Sequence, residues 1–220
     1  MLEFQLIFAS SHPFQLYGRY LTYYSQGVPF LCGSVLASAV GNTTLPRSTN
    51  ATISPELRPL TFIGNVAAVT TDSAGSTRIY YQNADNSIQE SIVSAPFVRG
   101  TFTGNTLLVP ANEVLYGTPI AATTISGTGL PIRVFFVSPS YILSEYAWTG
   151  TTWVGWPACG GCITGNQFIV EPGSTVLYAL PNTPGTPTPL RVGFVSAGQP
   201  ETLTEADYTV GKGWQLAPLP

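Results

Sequence analysis

The side chains best suited by type and spacing to do chemistry are three arginines and three glutamates. Arg78 and Glu90 are twelve residues apart, Arg133 and Glu145 are twelve apart, and Arg191 and Glu205 are fourteen apart. Each arginine opens a similar run, Arg78-Ile-Tyr-Tyr, Arg133-Val-Phe-Phe and Arg191-Val-Gly-Phe, and each glutamate follows an Ile or Leu two positions earlier. In an antiparallel hairpin, a residue near the start of one strand faces one near the end of the next. These separations therefore place each guanidinium beside a carboxylate on adjacent strands, with the two additional residues of the third pair falling in the Ser196–Glu201 loop. Such a pair holds donors and acceptors in one place, as neighbouring sugar hydroxyls require. A nearby aromatic, Trp153 in the third copy and Trp214 in the fourth, would stack on the apolar face of a pyranose. The same spacing also suits a salt bridge that clips two strands together, and it does not choose between the two.

Other reactive residues carry less. Cys32, Cys159 and Cys162 are an odd number, which argues against a disulfide framework. Cys159-Gly-Gly-Cys162 has redox or zinc-ligand spacing, but a zinc site would need two more ligands, with only Cys32 and His12 at hand. The expectation is buried or loop thiols, with a local disulfide as the alternative. A Ser-His-Asp triad would depend on His12, the sole histidine, and there is no Gly-x-Ser-x-Gly elbow. A glycosidase needs two carboxylates and 11 acidic residues are present. Each phased glutamate, however, comes with an arginine, which lowers a carboxylate's pKa and makes it a poor general acid. Sequons at Asn42-Thr-Thr and Asn50-Ala-Thr would matter only on a secretory route.

The elements that must position these groups are almost wholly β. Short runs rich in Val, Ile, Thr, Phe and Tyr, such as Val66–Thr70, Arg78–Gln82, Ser87–Val93, Arg133–Val137, Ile142–Trp148 and Arg191–Val195, are separated by Gly, Pro, Asn and Ser clusters. No window shows a capped helical period. The 220 residues are 44% hydrophobic and 9% charged, with a net charge of −3, which excludes disorder and disfavours helical bundles. Eight basic residues, one of them lysine, argue against nucleic-acid binding. No apolar run is long enough for a transmembrane helix. The N-terminus, with Glu3 and alternating polarity, reads as a strand and shows no clear signal peptide. That points to a cytoplasmic or unconventionally secreted chain.

The Arg-to-Arg steps are 55 and 58 residues, and the flanks return as well. Ile88-Gln-Glu90 matches Leu143-Ser-Glu145 and Leu203-Thr-Glu205, and Asn65-Val-Ala-Ala matches Pro119-Ile-Ala-Ala. A weaker first copy, around Gln5–Ser10 and Phe14–Tyr17, keeps neither Arg nor Glu. A period of this size made of four short strands is the signature of a β-propeller blade. The expected fold is an all-β propeller of about four antiparallel blades, forming one domain over 1–220 with repeats of roughly 1–62, 63–117, 118–173 and 174–220. The first repeat is degenerate. Blades bury their faces against one another, so a chain this poor in charge can still fold.

The repeat resembles that of the fungal fucose-specific lectins, and Arg78-Ile-Tyr-Tyr-Gln-Asn-Ala-Asp-Asn-Ser-Ile-Gln-Glu90 carries the likeness best. The resemblance implies a six-bladed type of propeller, here an incomplete ring, binding L-fucose in pockets between blades. It implies sugar contacts from Arg78 with Glu90, Arg133 with Glu145 and Arg191 with Glu205. Trp153 and Trp214 stand at the aromatic step, with Phe97 as the nearest equivalent in the second copy. The implied partners are fucosylated glycans or glycoproteins, bound without a cofactor, metal or turnover, and a homo-oligomer is one way to close the ring. Two alternatives stand beside the lectin: a structural or interaction propeller that has lost its sugar sites, and a propeller glycosidase.

Overall fold

A computed structural model of the protein describes residues 23–25, 28–30, 60–125, 131–181 and 190–220. The first-copy segments at 5–17, His12, Cys32 and both sequons lie outside the described residues. The chain divides into two compact units, Met1–Thr52 and Ile53–Pro220. In the first, β1 (Tyr23–Ser25) and β2 (Val28–Phe30) pair antiparallel, Tyr23 opposite Phe30.

The second unit holds three four-stranded antiparallel sheets, each a simple meander. The first blade is β3 (Val66–Thr70), β4 (Thr77–Gln82), β5 (Ile88–Val93) and β6 (Phe102–Val109). The second is β7 (Ala121–Thr124), β8 (Ile132–Val137), β9 (Leu143–Trp148) and β10 (Trp153–Gly155). The third is β11 (Leu177–Pro181), β12 (Leu190–Phe194), β13 (Thr204–Thr209) and β14 (Gly213–Pro218). The three blades are propeller blades, and their leading strands β3, β7 and β11 lie next to one another. Only two short 3-10 turns, Ala111–Glu113 and Ile163–Asn166, interrupt the β-structure among the described residues. No helix among them is long and apolar enough to cross a membrane.

Side chains alternate between the two faces of a strand. In the second blade, Arg133, Phe135 and Val137 share one face, and Ile132, Val134 and Phe136 share the other. Five of these six apolar and charged positions on β8 are buried, because the blade is covered on both sides. Ile132, Val134 and Phe136 pack with Tyr80, Ile88 and Val109 of the first blade. Phe135 and Val137 pack with Val192, Phe194 and Trp214 of the third. A middle strand therefore reads as a continuous apolar run rather than an alternating one, each such side chain contributing roughly 1.5–3 kcal/mol of burial. The outermost strands are covered less, and β14 exposes four of its six residues.

The connections are tied to the blades by buried polar groups. The Gln82 amide donates to the Asn86 side chain and to the Leu115 carbonyl, and its oxygen accepts from the Gly117 N–H. Asn86 holds a left-handed backbone (φ 74°) and donates to the Ala111 and Val114 carbonyls. These bonds fix the link from the first blade to the second and, with it, the spacing of the two facing surfaces.

Candidate functional site

All three Arg–Glu pairs form. Register places Glu90 opposite Tyr80, Glu145 opposite Phe135 and Glu205 opposite Gly193, each one step along the same face from its arginine. Arg78 Nε lies 3.7 Å from Glu90 Oε1, Arg133 Nη1 2.6 Å from Glu145 Oε1, and Arg191 Nη1 3.2 Å from Glu205 Oε2.

The faces carrying the first two pairs look at the next blade. Opposite Arg78 and Glu90 stand two tryptophans of the second blade, Trp148 and Trp153, paired across β9 and β10 with ring centroids 5.5 Å apart. Trp153 meets the Tyr80 ring edge-on at 6.0 Å. Opposite Arg133 and Glu145 stand Tyr208 and Trp214 of the third blade, the same register pair, with centroids 5.3 Å apart. Trp214 meets Phe135 edge-on at 6.4 Å. Trp153 thus faces the Arg78–Glu90 pair and Trp214 the Arg133–Glu145 pair, one blade earlier than the sequence repeat suggests. The reason is geometric: an aromatic on the opposite face from its own blade's arginine is turned towards the neighbour behind it. Phe97 lies in the turn before β6 and is 71% exposed. The register position equivalent to Trp153 in the first blade is Phe102, opposite Val93. Among the described residues, the aromatic beside Arg191 and Glu205 is Tyr178 of the same blade.

Each glutamate also has a second donor, and the three differ. The Tyr80 hydroxyl donates to Glu90 Oε1 at 3.1 Å. In the third blade the position of Tyr80 is Gly193, and Tyr178 reaches across from β11 to donate to Glu205 Oε1 at 3.2 Å. A Cβ on Gly193 would overlap the Tyr178 ring, so the glycine is what admits that tyrosine. In the second blade Phe135 has no hydroxyl, and the backbone N–H of Ile163 donates to Glu145 Oε2 at 2.7 Å. The sequence shows the Tyr, Phe and Gly at this position, but not that a residue on another strand or loop replaces the missing donor.

Electrostatics reverses one expectation. Burial pushes Glu90 and Glu145 above the usual glutamate range and outweighs every opposing influence. For Glu90 these are the Tyr80 hydroxyl, the Arg78 charge and the Trp153 indole; for Glu145 they are the Arg133 charge and the Ile163 N–H. The arginines do favour the charged forms, but burial is the stronger effect. Asp207, cross-strand from Arg191, is raised as well, by burial and then by Glu205. Its Oδ1 is buried without a hydrogen-bond partner.

The cysteines correct a second expectation. Cys159 and Cys162 are joined in a disulfide that closes the turn after β10. Among the described residues no cluster of His, Cys, Asp and Glu could hold a metal ion.

No protein-family profile and no curated protein matches the sequence. Solved structures do match. AofleA from Arthrobotrys oligospora shares 22% identity over 73% of this chain and 43% of its own, with a TM-score of 0.58. The lectin of Aleuria aurantia, described as a six-bladed β-propeller with a novel fucose recognition mode, shares 21% over 73% of this chain and 51% of its own, at 0.57. The SapL1 lectin in complex with alpha methyl fucoside shares 26% over 70% and 47%, at 0.53. The chain thus spans about half the length of the structures it matches. In fold, its blades are those of the six-bladed β-propellers to which the fungal fucose-specific lectins belong.

Proposed function

We propose that this protein is a non-catalytic lectin that binds L-fucose or fucosylated glycans between its blades. The observation that carries the reading is the junction of the first two blades. There, one wall supplies a partly exposed guanidinium and a carboxylate that keeps 8% of its side chain exposed, and the facing wall supplies two tryptophans. The carboxylate accepts from two sugar hydroxyls, the guanidinium donates to a ring or hydroxyl oxygen, and an indole covers the apolar face. Arg78, Glu90 and Trp153 are the residues proposed to make these contacts. Arg133, Glu145 and Trp214 repeat the constellation at the next junction, and Arg191 and Glu205 repeat its polar half. The matching solved lectins, one holding alpha methyl fucoside, support fucose as the first sugar to try.

A glycan array followed by calorimetry with methyl α-L-fucoside tests this. The expected result is a fucose-dependent signal that Arg78→Ala removes. Binding that is absent, or indifferent to that substitution, would dismiss the lectin reading. The second reading, pairs that merely clip strands, is favoured by one observation: the Glu145 side chain is fully buried. A hydrolytic reading has the Glu205–Asp207 neighbourhood on its side, where burial and then the Glu205 charge raise the Asp207 carboxyl. Release of free sugar from a fucosylated oligosaccharide would establish it.

A further inference from the structure

The junction between the second and third blades has the right residues for a sugar site but no room at its carboxylate. Glu145 Oε1 is engaged by Arg133 at 2.6 Å and Oε2 by the Ile163 N–H at 2.7 Å, and none of the side chain is exposed. Two residues earlier on the same segment, the Gly161 carbonyl accepts from the Trp214 indole N–H at 3.0 Å. A sugar hydroxyl set between a carboxylate and an indole would do both jobs, donating to the first and accepting from the second. The segment therefore offers the site a donor and an acceptor where a ligand would offer its own.

Two further features concern how the segment is held and what lies beside it. The Cys159–Cys162 bridge closes the turn that carries Gly160 and Gly161, residues with the largest backbone freedom to lose on ordering. Without it, the turn keeps the Cys159 N–H to the Gly155 carbonyl, the Cys162 N–H to Cys159, the two bonds into the site, the bond from the Glu145 N–H to Thr164 Oγ1, and the Ile163 side chain buried in the core between the second and third blades. Alongside lies a cavity of about 310 Å³ lined by Arg133, Trp148, Thr149, Val154 and Cys159. Arg133 Nε is buried with no hydrogen-bond partner. Space of that size is at the lower end of what small-molecule sites use.

We propose that the Gly161–Ile163 segment is a built-in occupant of the Arg133–Glu145 site, kept there by the Cys159–Cys162 disulfide, so that the site admits a sugar only when the bridge is reduced. The proposal rests on reading the inter-blade junctions as sugar sites. The switching step is thiol–disulfide exchange with an external dithiol. Its thiolate attacks one sulfur, the S–S bond breaks, Cys159 and Cys162 gain one proton each, and the dithiol is oxidised to its own disulfide.

The test pairs a readout that needs no ligand with one that does. Hydrogen exchange at the Ile163 amide is followed by mass spectrometry in the oxidised protein, after dithiothreitol, and in a Cys159→Ser/Cys162→Ser variant. Methyl α-L-fucoside is titrated into the same samples. The expected result is at least tenfold faster exchange at Ile163 on opening, with one additional equivalent of fucoside bound per chain that Glu145→Gln removes. Unchanged exchange overturns the latch. Faster exchange with no additional equivalent, while the Arg78 site still binds, overturns the occupied-site assignment. No fucoside bound in any sample overturns the sugar reading and the gate built on it, and the silent Arg78 site distinguishes that failure from the others.

Discussion

The two inter-blade junctions start from nearly the same residues and end in opposite states. At the first, Glu90 keeps 8% of its side chain exposed, its arginine stands 3.7 Å away, and its second donor is a tyrosine hydroxyl from its own blade. At the second, Glu145 keeps none, its arginine is at 2.6 Å, and its second donor belongs to a loop that lies over it. One substitution at the core of the motif, Tyr80 against Phe135, goes with the difference. Where the hydroxyl is present the second donor comes from the glutamate's own blade, and the carboxylate keeps a small exposed edge. Where it is missing the donor comes from above, and the donor's backbone closes the site. The same Arg–Glu spacing thus supports the proposed ligand site in one place and a fully buried ion pair in the other.

The largest effect that would sharpen this contrast is on stability. Arg133→Ala leaves a fully buried carboxylate without its cation and is expected to cost about 3–5 kcal/mol, while leaving fucoside binding to the oxidised protein unchanged. Arg78→Ala should do the reverse. Loss of a charge-assisted contact worth about 1.5–3 kcal/mol weakens binding roughly 10- to 150-fold, and Glu90, still held by Tyr80, keeps the fold close to its parent's stability. Thermal melts and calorimetry on both variants check the pair. Equal stability losses, or a binding loss from Arg133→Ala, would break the contrast.

Much of the architecture can be read in the sequence because a propeller repeats its physics. Each middle strand must bury both faces, so Arg78-Ile-Tyr-Tyr, Arg133-Val-Phe-Phe and Arg191-Val-Gly-Phe stand in phase, and the pairing of each arginine with its glutamate follows from hairpin register. What could not be read is anything that depends on which blade a face turns towards. Trp153 and Trp214 are spaced as partners of their own blades' arginines but point to the preceding ones. Phe97 is close in sequence to the aromatic step, yet Phe102 occupies the register position. Nor does spacing reveal that burial outweighs a neighbouring guanidinium at Glu90 and Glu145, since both follow from the blade stacked on top. The Cys159-Gly-Gly-Cys162 bridge was an open alternative, whereas its place over Glu145 needed the fold.

A smaller effect separates the two indoles. Trp153→Phe keeps an aromatic ring but removes the N–H that helps hold the charge on Glu90. Binding at the open junction should weaken about fivefold, the value of one neutral hydrogen bond near 1 kcal/mol. Trp214→Phe instead removes the bond to the Gly161 carbonyl. Amide exchange at Ile163 should quicken, with the first junction's affinity untouched. Quicker exchange in the Trp153 variant, or weaker binding in the Trp214 variant, would contradict the division of labour.

The finest test is of the hydroxyl that distinguishes the junctions. In the proposed site, Glu90 offers both oxygens to sugar hydroxyls as charge-assisted acceptors when it is ionised, and protonation weakens this by turning one oxygen into a donor. Because burial holds its pKa above the ordinary glutamate value, binding should begin to fall on acidification before an exposed carboxylate would titrate. The Tyr80 hydroxyl bonds the charged form and pulls that pKa down. Removing it in Tyr80→Phe therefore raises the pKa further, and the acid limb of the binding curve moves to higher pH, with affinity near neutrality reduced about fivefold by the looser carboxylate. Fucoside titrations between pH 4 and 8 on parent and variant measure both. A limb that stays in place or moves to lower pH would show that the tyrosine only fills space beneath Glu90. The difference between the junctions would then rest on the disulfide loop alone.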